Sequence, residues 1–127
     1  MTIRPIPKPK KKLKLSTLRN KCDKKMQETG RKVYNKCMVC SGAYSCLHHF
    51  FPKSRSSALR YDWENLIPIC QGCHFAHHNG DPRIHIEVIK IKGMDWYEAL
   101  EWKKNNKTVK PSKGYYEDVL KTLDLII

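Results

Sequence analysis

The chain has 127 residues, 40% of them hydrophobic, which suits one domain with a modest core. With 25 Lys and Arg against 12 Asp and Glu, it carries a net charge of +13, and that excess favours a polyanionic partner such as DNA or RNA. No apolar run approaches the roughly 18 residues of a membrane span, and no apolar stretch of a signal peptide follows the basic N-terminus, so a cytoplasmic protein is expected.

Residues 1–15 (MTIRPIPKPKKKLKL) read as a basic arm, because Pro5, Pro7 and Pro9 rule out a regular helix. Its lysines, Lys10, Lys11 and Lys12 among them, are candidates for contact with phosphates. Ser16 suits an N-cap and Gly30 a C-terminal stop, with Leu18, Cys22 and Met26 as an apolar stripe between them. A first short strand is expected within Tyr44–Phe51. It is followed by a polar, basic loop over 52–61 that holds Lys53, Arg55 and Arg60, candidates for gripping the phosphate backbone. Asn65–Ile69 reads as a second strand and Cys73–His78 as one or two helical turns, ended by Asn79-Gly80. Asp81-Pro82 signals a helix start and Gly93 a stop, although Ile84, Ile86 and Val88 alternate as in a strand; a helix is the reading adopted. Further helices are expected over 96–104, and over 115–125 with Tyr116, Val119, Leu120 and Leu123 inward.

Six cysteines could be disulfides in a secreted chain, but the pairs Cys37-x-x-Cys40 and Cys70-x-x-Cys73 have the spacing of metal hooks. Thiolates two residues apart in a tight turn point at a common centre, so the two hooks can close one tetrahedral zinc site. Cys22 and Cys46 read as core residues.

The histidines suggest a second centre. His74 and His78 are four apart on a helix and can share an ion, while His77 beside them faces phosphate or solvent. His48 and His49 adjoin on a strand and point to opposite faces, so one can reach that ion and the other cannot. Phosphodiester hydrolysis needs a cation to stabilise developing charge and a near-neutral base to activate water. The amide of Asn65 can bond a backbone carbonyl and pin the loop that carries the base. His85 fits neither the spacing nor the pattern.

This order, Cys-x-x-Cys, His-His, Asn, then Asn-Leu-Ile-Pro-Ile-Cys-x-x-Cys-His with a trailing His, resembles the HNH endonucleases, the ββα-metal or His-Me finger nucleases. The resemblance implies an α+β fold: a small ββα-metal core with two zinc knuckles, flanked by N- and C-terminal helices. It implies a single HNH-type domain over 16–127, with its core at about 33–80 and a helical extension over 81–127. It makes His49 the general base, Asn65 the middle Asn, and His74 the last signature residue. His48, His74 and His78 would hold the catalytic ion, and Cys37, Cys40, Cys70 and Cys73 a separate structural Zn²⁺. The catalytic ion would be Mg²⁺ or Mn²⁺, with Zn²⁺ or Ni²⁺ able to substitute. A narrower likeness over Ser57–Tyr61, Asn65, the second hook, Asn79-Gly80 and 84–93 is similar to the phage NinG (Rap) recombination nucleases, which act on branched DNA. That family lacks the full histidine set found here. The function expected is a metal-dependent DNA endonuclease; the alternative is a non-catalytic, zinc-dependent nucleic-acid-binding module, for which this set of histidines would be superfluous.

Overall fold

The computed structural model of the chain describes residues 14–126. Lys10, Lys11 and Lys12, with the rest of the arm before Lys14, lie outside the described residues. Eight elements follow in order: α1 (Leu15–Val33), β1 (Cys46–His49), a 3₁₀ turn (Trp63–Asn65), β2 (Leu66–Ile69), α2 (Gln71–His78), α3 (Pro82–Lys92), α4 (Met94–Asn106) and α5 (Lys113–Asp124). Among the described residues, no helix is long and apolar enough to cross a membrane.

The limits expected for the first helix are corrected. Lys14 is its N-cap, with no side-chain bond to the helix, and Ser16 lies within the first turn. Nor does the helix stop at Gly30; it continues to Val33, and Gly30 is buried. A Cβ at Gly30 would stand 2.5 Å from the Tyr44 hydroxyl and 2.6 Å from Leu47 Cγ. The glycine therefore serves close approach between α1 and β1, and no chain reversal. Gly30→Ala is expected to lower stability by about 1–3 kcal/mol, the usual range for overpacking, measured by urea unfolding. An unchanged midpoint would mean that this contact can relax.

β1 and β2 form a two-stranded antiparallel sheet with Leu47 opposite Pro68 and His48 opposite Ile67. Pro68 is tolerated because its nitrogen side faces away from β1; its carbonyl accepts from the Met38 amide at 2.9 Å. The strand expected within Tyr44–Phe51 is confined to Cys46–His49, although the flanking amides of Ser45 and Phe50 still donate to the carbonyls of Ile69 and Asn65.

The sheet lies between two apolar clusters. Leu47 and Leu66 join Leu18, Cys22 and Met26 of α1 and Tyr116, Val119 and Leu123 of α5. Ile67 and Ile69 pack with Phe50, Leu59, Ile84, Val88 and Leu100. Adjacent strand residues thus face opposite layers, and so do His48 and His49. In α3, Ile84 and Val88 are buried while Ile86 is 48% exposed, which is the pattern of a helix with one packed face and resolves the strand-like alternation. Asp81 caps that helix through the Arg83 amide, and Gly93, at φ +98°, separates it from α4.

Candidate functional site

The first cysteine hook is a tight turn. The Cys37 amide donates to the Gly42 carbonyl at 2.8 Å, and Ser41 takes the left-handed conformation, φ +62°. The second hook opens α2, where the Cys70 thiol accepts from the Cys73 amide. All six cysteines are free, and the Sγ atoms of Cys37, Cys40, Cys70 and Cys73 lie within 4.8 Å of one another. Thiolates about 2.3 Å from a tetrahedral zinc stand about 3.8 Å apart, so the cluster could close on that ion with small adjustment. Its electrostatics fit a cation too. Burial raises the Cys37 thiol, but hydrogen bonds from the backbone at Cys40, Cys70 and Val39 outweigh it and bring the pKa down to about 7. Burial and the neighbouring thiols drive Cys73 strongly upward, as expected when like charges crowd one centre.

The helix that carries the second hook also carries three histidines, and β1 presents His48 to them. Ligand atoms of His48, His74 and His78 lie within 4.8 Å of one another and could hold a second ion. The ring centroids of His48 are 4.5 Å from His74 and 5.1 Å from His78. His48 Nε2 is hydrogen-bonded to His77 Nδ1 at 2.5 Å. Burial, then the nearby rings of His77, His74 and His78, push the His48 pKa down to about 3. His74 and His77 are also lowered, chiefly by burial. These rings are therefore neutral at physiological pH, the form that binds metal. Cys46 is half-buried, with its thiol 3.5 Å from His74 Nδ1, so it borders this cluster instead of packing in the core. His85 stacks on Phe50 outside the cluster, with centroids 4.6 Å apart.

His49 faces the other layer. Its Nε2 lies 2.8 Å from the Arg60 carbonyl. A carbonyl can only accept, so Nε2 carries the proton and the lone pair is on Nδ1. Burial lowers its pKa, and Lys53 and Arg60 add to that against the bond to the carbonyl. Asn65 is fully buried and spans the loop that starts after His49. Its Oδ1 accepts from the Phe51 amide at 2.9 Å, while Nδ2 donates to the carbonyls of Phe51 at 3.0 Å and Leu59 at 3.2 Å. An unpaired amide there would cost about 1–3 kcal/mol, so the network specifies one loop geometry.

His48, His49, His74, His77 and His78 line one groove of about 600 Å³ between α1 and α2, together with Lys53. Arg55 lies exposed in the adjoining loop. Arg60, expected to grip phosphate, instead pairs with Asp23 of α1, Nη2 to Oδ2 at 2.7 Å. Asp23 and Gln27, which sequence reasoning did not single out, line the same groove. A signal for them existed: they follow Cys22 and Met26 by one residue, forming a polar row at spacing four along the edge of the apolar stripe.

Residues 37–80 match the HNH endonuclease family, and this segment spans both hooks, the sheet and α2. This segment is thus an HNH-type domain by similarity, set among the described residues in a small α+β fold of five helices and one two-stranded sheet, with two side-chain clusters that could hold metal ions. Comparison with curated proteins and with solved structures found no match.

Proposed function

We propose that the chain is a metal-dependent DNA endonuclease that hydrolyses phosphodiester bonds, with His49 as the general base. One observation carries this reading: a three-histidine cluster and a separate, oriented imidazole open into one groove. His48, His74 and His78 would hold a divalent cation, Mg²⁺ or Mn²⁺, which when bound supplies charge stabilisation at the phosphate and the leaving oxygen.

The protein's own groups do the rest. His49 Nδ1 accepts a proton from the attacking water, while the Arg60 carbonyl keeps Nε2 protonated and the ring fixed. Asn65 holds the loop between them. Lys53 and Arg55, and from the arm Lys10, Lys11 and Lys12, supply positive charge for the DNA backbone. The products would be 5′-phosphate and 3′-hydroxyl ends. The structural Zn²⁺ of the four cysteines would hold the scaffold and take no part in the chemistry.

The test is nicking of supercoiled plasmid in Mg²⁺ and in Mn²⁺, extended to linear, flap and four-way-junction DNA and to matched RNA. Cleavage is expected to need added Mg²⁺ or Mn²⁺ and to favour DNA. Preference for junctions would support a branched-DNA substrate. Binding without cleavage of any substrate would overturn the nuclease reading and leave a nucleic-acid-binding module. Affinity should drop steeply with salt, because each neutralised phosphate releases a counterion; a salt-independent Kd would argue against backbone contact.

A further inference from the structure

We infer that helix α1, which lies outside the matched HNH segment, braces the general base: Asp23 holds Arg60 and Tyr61 so that the Arg60 carbonyl fixes the His49 ring. This rests on His49 being that base. Asp23 and Arg60 are thereby positioning residues, and Arg60 is not a phosphate contact.

The connection is continuous in hydrogen bonds. The Asp23 carboxylate accepts from Arg60 Nη2 at 2.7 Å and Nε at 3.3 Å, and from the Tyr61 hydroxyl at 2.7 Å. The Arg60 carbonyl then accepts from His49 Nε2 at 2.8 Å. Side chains of Arg60 and Asp23 are only 21% and 32% exposed, so the pair is better shielded than a surface ion pair and has a planar, two-pronged geometry.

One turn further along α1, Gln27 brackets β1. Its Nε2 donates to the Leu47 carbonyl at 2.9 Å and its Oε1 accepts from the Leu47 amide at 3.0 Å. The strand just before His48 and His49 is thus tied to the same helix face as the loop that ends at Arg60. The strand is held two residues before His49 through one tie, and the His49 ring is oriented through the other. Asn65 secures the loop at Phe51 and Leu59 but makes no bond to Arg60 itself. The loop is exposed at Pro52–Arg55 but buried again at Leu59, so the peptide after Arg60 is held on one side by Leu59 and on the other by the anchor on Asp23.

Charge supports the same assignment. Asp23 lines a groove proposed to receive phosphate. An unpaired carboxylate there would repel DNA; paired with Arg60 it does not. An arginine kept for gripping DNA would have no need of this partner.

The variant Asp23→Asn separates the two roles, because it frees the Arg60 charge while removing its anchor. We expect kcat on plasmid DNA to fall about ten- to a hundredfold, the scale produced by small displacements of a reacting group, with KM unchanged or lower. Tyr61→Phe, which removes the hydroxyl and its bonds to Asp23, Arg60 and Arg19 but no charge, should lower kcat several-fold. In ¹⁵N-resolved imidazole spectra at pH 8, His49 of the wild type should be a single Nε2–H tautomer, and Asp23→Asn should mix the two. Retention of DNA binding by the variant shows that it is folded; if it is lost, Tyr61→Phe and its tautomer carry the test. A kcat within twofold of wild type together with an unchanged tautomer would overturn the brace, as would tighter DNA binding as the sole effect. If instead the wild type does not cleave, or His49→Ala cleaves normally, the base assignment is what fails, and the tautomer still reports whether α1 orients the ring.

Discussion

Removal of zinc from the four-thiol site is expected to unfold residues 37–80, and the histidine groove with them. Regular structure in this region is short: β1 and β2 are four residues each, and the first hook meets the sheet through the Met38 amide on the Pro68 carbonyl and lies beside one isolated bridge, Lys36 to Ala43, so that apart from the metal only the two apolar clusters hold it. The hooks tie the start of this region to the start of α2, which carries His74, His77 and His78. A structural zinc contributes about 10–16 kcal/mol of apparent binding free energy, comparable to the whole stability of about 5–15 kcal/mol of an ordinary domain. A strong chelator should therefore abolish the cooperative unfolding transition. Trp63, stacked on Tyr34, and Trp96, bonded to the Glu64 carbonyl, report the loss by fluorescence. Cys70→Ser should do the same without chelator. An intact transition with no bound zinc would show that the two apolar clusters suffice.

The second large effect concerns His49→Ala. Loss of a positioned general base should lower kcat about 10²–10⁴-fold, while DNA affinity stays near that of the wild type. Binding would be preserved because the cations and the histidine cluster are untouched. Burial lowers the His49 pKa, so the ring remains a free base at neutral pH. The acid limb of activity should accordingly fall below the ordinary imidazole value of about 6.5. With its pKa lowered, the ring is protonated, and lost as a base, only at a lower pH than an exposed histidine. Equal cleavage by His49→Ala would remove the assignment, and a fall in affinity alone would make His49 a DNA contact.

Much of the site could be read from spacing because its geometry is local. Two residues between cysteines suffice to make a hook, four residues on a helix put His74 and His78 on one side, and adjacency on a strand sends His48 and His49 to opposite faces. The helix over 82–92 was legible from its cap and stop for the same reason. Gly30 was not, since the same residue that ends helices also permits close packing within them, and only the position of Tyr44 and Leu47 distinguishes the two. Cys46, read as core, borders His74 because strand alternation places it on the same face as His48.

Arg60 and Asp23 mark the limit. In sequence, Arg60 is one cation in a basic loop and Asp23 one acid in a basic helix, separated by too many residues for any periodicity to connect them. By itself the chain determined its charge, its two candidate metal-ligand sets and the order of its short elements, all properties of neighbouring residues. Which cation meets a carboxylate, which carbonyl receives His49 and which helix stands over the groove were decided only when α1 packed on the sheet, because those partners are set by the burial of distant apolar faces.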